Sequence, residues 1–172
     1  MTKNMFRPLD SLQVMAYIIK QCKAKGIEPN ATKLQKLMYC CYGVLLAVMD
    51  LRICDESPEA WQYGPVFPRT LMAFKRDGID SVEALYLPTS TESIPEEARS
   101  LISQTLDFFG QYSATRLSYW SHLKGSPWSR ASNDGEDLYG QIDDATIRSY
   151  FSEHVLKTGE RAETGSFSRA SA

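Results

Sequence analysis

The groups that could attack a carbonyl or hold a soft metal are few: Cys22, Cys40, Cys41, Cys54, His122 and His154. A zinc-type site needs three or four such ligands converging, and its usual trace in a sequence is a Cys-x-x-Cys or His-x-x-x-His spacing. Neither spacing occurs. Cys40 and Cys41 are adjacent in a segment of helical periodicity, so their side chains diverge and do not bridge easily. Reduced cysteines packed as small hydrophobes are the expectation. A hydrolase would have to use Cys41 or His122, but no Gly-x-Ser-x-Gly elbow is present. The ten glycines are scattered and form neither Gly-x-Gly-x-x-Gly nor Gly-Lys-Ser/Thr, so a phosphate cradle is not expected. Glu96-Glu97 and Asp143-Asp144 stand at predicted helix starts, where capping accounts for them better than acid–base work does. No catalytic residue, metal or cofactor is therefore expected, and the chain is read as a non-enzyme.

What remains is the chemistry of recognition. Trp61-Gln62-Tyr63-Gly64-Pro65-Val66-Phe67-Pro68 combines rings with residues that stiffen and bend the backbone, and Ser126-Pro127-Trp128 repeats the idea. Trp and Tyr are favoured anchors at interfaces, so Trp61, Tyr63, Pro65, Phe67 and Trp128 are the candidate partner-binding residues. The competing reading is that these rings pin the loop to its helices. Lys33 and Lys36, just after a Gly26-containing turn between two helices, could imitate a helix-turn-helix. A recognition helix wants polar, base-reading side chains along its exposed face, whereas this one continues with Tyr39, Cys40, Tyr42 and Gly43. His122 reads as structural, hydrogen-bonded within the domain.

The elements that must position these residues are mostly helical. With 172 residues, 43% hydrophobic and 23% charged, the composition is that of a globular chain with one domain. The net charge of −2 argues against a coat for nucleic acid or anionic lipid. The apolar run Val44–Met49 falls short of the ~20 residues that span a bilayer, and Met1–Pro8 lacks the apolar region of a secretory signal; a cytoplasmic protein is expected. Helices are predicted from Asp10 to Lys25, Ala31 to Asp50, Pro68 to Arg76, Ser93 to Tyr112, Ser113 to Leu123 and Asp143 to Val155. The second carries an apolar stripe of Leu34, Leu37, Met38, Cys41, Leu45 and Val48. Leu85–Ser93 reads as a loop. The expected fold is mainly α, a compact bundle of about six helices with a small β-hairpin around residues 51–63. It occupies residues 1–156 and is followed by a flexible tail, 157–172, too polar to order itself.

Three segments, in this order, resemble the Panacea domain, the family of SocA-like and GepA-like antitoxins. They are Thr32-Lys33-Leu34-Gln35-Lys36-Leu37-Met38-Tyr39 with Gly43, then Glu59-Ala60-Trp61-Gln62-Tyr63-Gly64-Pro65-Val66 with Pro68, then Leu117-Ser118 with His122 and Pro127-Trp128. Together they cover about Ala31 to Ala131. The resemblance implies a helical antitoxin of a toxin–antitoxin system, prophage or phage-defence associated, that neutralises a cognate toxin encoded by an adjacent gene through direct protein–protein binding. Two other roles stand beside it: a DNA-binding regulator of its own operon, and an adaptor delivering the toxin to a ClpXP-type protease. The slight acidity suits a basic toxin.

Overall fold

The computed structural model describes residues 6–90 and 93–156. Asp10 opens α1 (Ser11–Ala24) by accepting a hydrogen bond from Leu12 N at 2.8 Å, and the chain leaves it through Gly26 at φ 71°. Asn30 opens α2 (Ala31–Met49) in the same way, accepting from Lys33 N at 2.9 Å. The predicted apolar stripe understates this helix. Every residue from Leu34 to Leu46 is buried, while Val48 at its end is 45% exposed. The helix is the axis of the bundle, enclosed by neighbours on all sides, and a helix in that position needs no polar face. Gly43 is required there: a Cβ would stand 2.4 Å from the Phe151 ring.

The hairpin lies further along than the expected 51–63. Its strands are β1 (Glu59–Trp61) and β2 (Gly64–Val66), antiparallel, joined by Gln62-Tyr63 with Trp61 opposite Gly64. Leu51–Cys54 instead meets the segment before α1, where Leu9 N donates to Ile53 O and Asp55 N donates to Leu9 O. The other edge of β1 is closed by Gly140 and Gln141. Pro68 begins α3 (Pro68–Asp77). Phe67 offers no cap, and the Glu56 carboxylate substitutes for one by accepting from Arg69 N at 2.6 Å.

Two helices were not legible in the sequence. The expected loop 85–93 is largely α4 (Ile79–Ser90), which packs along α1 through buried Val82 and is tied to it by Lys23, whose Nζ lies 2.8 Å from Asp80 and 2.6 Å from Glu83. The proline that suggested a break, Pro88, falls near the end of this helix. The five-residue α7 (Pro127–Ala131) is the second, capped by Ser126. Between them, α5 (Glu96–Phe109) starts after Pro95 rather than at Ser93 and buries Ala98, Ile102, Thr105, Leu106, Phe108 and Phe109. α6 (Ala114–Ser121) is capped by Ser113. α8 (Asp144–Tyr150), capped by Asp143, continues as a π-helical turn, Phe151–Leu156, that delivers Phe151 to α2. The described residues thus hold eight α-helices, against about six expected. The predicted tail, 157–172, lies outside the described residues.

All four cysteines are buried and unbridged. Burial pushes the Cys22 thiol up to about 11 and Cys54 to about 12, and raises Cys40 and Cys41 as well, so none is a ready thiolate near neutrality. No helix among the described residues is long and apolar enough to cross a membrane.

Candidate functional site

Of the three sequence segments singled out above, the second forms the hairpin, and the first and third grip it through different backbone groups. From α2, Gln35 Oε1 accepts from Phe67 N at 2.8 Å while its Nε2 donates to Thr70 Oγ1 at 2.7 Å. The next residue, Lys36, donates from Nζ to Pro65 O at 2.9 Å. From α6, Ser118 Oγ donates to Tyr63 O at 2.5 Å. From α7, Trp128 Nε1 donates to Trp61 O at 2.6 Å. Buried backbone groups demand partners, and a two-stranded hairpin is marginal in isolation. These side chains supply what further strands would otherwise provide. Gly64 fits at φ 114° because it has no Cβ, which would lie 2.4 Å from Ser121 Oγ and 3.1 Å from Lys36 Cε.

This clamp encloses one side of a cavity of about 730 Å3 between the hairpin, the start of α2, α3 and α6. Lys36 and Gln35 lie buried at its floor. Tyr63, Tyr119 and Tyr139, each at least 60% exposed, stand at its mouth. Six large hydrophobic side chains are exposed among the described residues, so half of them collect here. Tyr139 is held at φ 75°, a conformation unusual for an aromatic residue. Its N–H donates to Ala60 O at 2.8 Å and its ring meets Trp61 edge-on at 5.5 Å, which together fix it against that strain.

The electrostatics are lopsided. Lys36, Lys75 and His122 line the cavity and, among the described residues, no Asp or Glu does. Lys36 is 3% exposed, and its ammonium has no carboxylate within ion-pair reach among the described residues. Burial lowers its pKa to about 8, since a charged form stripped of water is disfavoured. His122 is as expected, its Nδ1 2.5 Å from Ser118 O and its ring packed on Trp128.

The five predicted binding residues divide. Tyr63 is 66% exposed and Trp61 half-buried, its Nε1 donating to Glu59 Oε1 at 2.9 Å. Pro65 and Phe67 are buried, and Trp128 is only 6% exposed. Those three hold the hairpin in place and have almost no surface to offer. The reading in which rings pin the loop applies to them, because each packs inward where water is excluded. Tyr119 and Tyr139, which stand beside Tyr63 at the mouth, were not among the sequence candidates. Tyr139 is 78 residues from Trp61 and no local pattern announces the pairing. Lys36, which with Lys33 suggested a helix-turn-helix, is buried, as is α2 from Leu34 to Leu46, so neither offers a face to a DNA groove.

The chain matches the family model described as "Antitoxin SocA-like, Panacea domain" over residues 34–129, more than half of its length. It is similar to Antitoxin SocA of Caulobacter vibrioides (strain NA1000 / CB15N), 26% identical over 138 residues that cover 73% of this chain and 71% of the relative. No solved structure matches.

Proposed function

The chain belongs to the SocA-like antitoxins of the Panacea domain, and on that premise we propose that it neutralises a cognate toxin, encoded by an adjacent gene, by binding the toxin protein directly in the cytoplasm. The observation that supports this most is the clustering of exposed tyrosines, Tyr63 of the hairpin turn with Tyr119 of α6 and Tyr139 of the segment before α8, around a hairpin whose backbone is locked from below by the family's own motif residues. Rigid rings lose little entropy on binding, and exposed aromatic patches on a globular chain mark interaction surfaces. Trp61 and Tyr63 belong to the contacting surface. Pro65, Phe67 and Trp128 act by positioning it. The buried cysteines, with thiols held well above neutrality, are not themselves nucleophiles ready for turnover.

The test is co-expression. Each small neighbouring gene is induced alone and together with this chain. One neighbour arrests growth alone, growth returns when the chain is present, and the two proteins co-purify. Rescue without a complex, or no neighbour whose arrest the chain relieves, overturns the proposal.

A further inference from the structure

Burying a lysine without a carboxylate is costly. Lys36 nevertheless ends inside the fold with a single carbonyl, Pro65 O, as its hydrogen-bond partner among the described residues, although an ammonium offers three donors. The cavity above it is about 730 Å3, within the range of pockets that take drug-sized ligands or several side chains. Its lining carries Lys36 and Lys75 and, among the described residues, no acid, in a chain whose total charge is −2. The local field is therefore opposite in sign to the molecule's. Around the mouth stand Tyr63, Tyr119 and Tyr139, which offer apolar ring area and hydroxyls to whatever carries the charge.

We propose that this pocket seats a carboxylate presented by the partner polypeptide, an acidic side chain beside an apolar or aromatic residue, with Lys36 as its counter-ion and the three tyrosines gripping its neighbours. The inference deepens the antitoxin reading and rests on it for the source of the carboxylate. The slight overall acidity suggested a basic toxin. The pocket adds that the decisive contact of that toxin is acidic. A bare interior ammonium gains most from a charge-assisted hydrogen bond formed where water is scarce.

The experiment needs no toxin. The full chain, labelled for amide NMR, is titrated with acetyl-Phe-Asp-amide and, separately, with its neutral counterpart acetyl-Phe-Asn-amide. The Asp peptide shifts the amides of Lys36, Gln62, Tyr63, Gly64 and Ser118, and binds about tenfold more tightly than the Asn peptide, the margin of one charge-assisted contact. Lys36→Met removes that margin while its amide spectrum stays dispersed. Should Lys36→Met fail to fold, the comparison of the two peptides on the unaltered chain still decides the matter. Equal binding of the two peptides, or shifts elsewhere, overturns the pocket. Inorganic phosphate or acetate shifting the same amides as strongly as the Asp peptide overturns the polypeptide source and leaves a site for free anions. A chain that rescues growth yet treats the two peptides alike loses this inference alone, and one that discriminates the peptides but rescues against no neighbour loses the antitoxin reading alone.

Discussion

Two cations hold the segment that links α2 to α3, Arg52 from within it and Lys36 from α2, and they are treated in opposite ways. Arg52 is saturated: it reaches Asp144 Oδ2 at 2.9 Å, Cys54 O and Ser57 Oγ at 3.0 Å, and lies over the Tyr42 ring. Asp144 completes the arrangement by accepting from the Tyr42 hydroxyl at 2.5 Å. That lock bolts the start of α8 to α2, and about a third of the Arg52 side chain still touches water. Lys36 is more deeply buried and far less satisfied. A fold that needed only to be stable would reverse these allocations, since a buried cation is tolerated when its donors are matched. The difference marks Arg52 as wholly structural and Lys36 as a group that holds the hairpin with one donor and, on the inference above, keeps the others for something outside the molecule.

The largest expected effect attacks the pocket's frame. Gly64→Ala forces a Cβ onto Ser121 Oγ at φ 114° and is expected to cost about 3 kcal/mol in urea unfolding. A loss below 1 kcal/mol would mean the hairpin is loosely held. Next, Asp144→Ala strips the Arg52 lock of its acceptor. Because the pair is partly solvated, the expected loss is about 2 kcal/mol rather than the larger cost of a fully buried pair, and binding of the Asp peptide stays unchanged. If that binding falls as well, the two regions are not independent.

Lys36→Met moves stability the other way. The lysine titrates near 8 in the folded chain against an ordinary 10.5, so the folded state releases its proton first and the unfolded state binds more protons between those values. The cost of the buried charge is borne in full below pH 8 and fades as pH rises to 10.5, which makes it roughly 3 kcal/mol at neutrality. Leaving Pro65 O without its donor returns about 1 kcal/mol of that, so Lys36→Met is expected to be about 2 kcal/mol more stable at pH 7 and to lose this advantage towards pH 10. Cys40 on α2 and Lys75, His122, Tyr63, Tyr119 and Tyr139 around the cavity are common to both chains, so the difference between their pH profiles isolates Lys36. A variant less stable at every pH would place Lys36 with Arg52 as structural. The smallest effect on stability is that of Tyr63→Ala, within about 0.5 kcal/mol because the ring is exposed. It should nonetheless weaken the complex with the toxin by about tenfold or more, as read by calorimetry.

Much of the fold was legible where a local rule and the tertiary context agree. Asp10, Ser113 and Asp143 cap their helices as their positions suggest, since a cap satisfies groups within a few residues of itself. α4 escaped because its apolar side is short and is completed by α1, fifty to sixty residues earlier, through Val82 and the Lys23 ion pairs. The hairpin slipped forward because its strands are three residues long and their pairing is set by side chains reaching in from α2, α6 and α7.

Residue types and their order determined that this chain is helical, that its cysteines pack as hydrophobes, and that its motifs resemble those of one antitoxin family; these properties depend on short-range periodicity and composition. Only the tertiary structure decided which rings face out. Phe67 and Tyr63 are four residues apart and equally eligible by type, yet one is sealed in the core and the other stands in water. The same holds for Lys36, whose meaning changed from a surface charge to a buried one once α2 was enclosed, because burial is a property of everything packed around a residue and not of its neighbours in sequence.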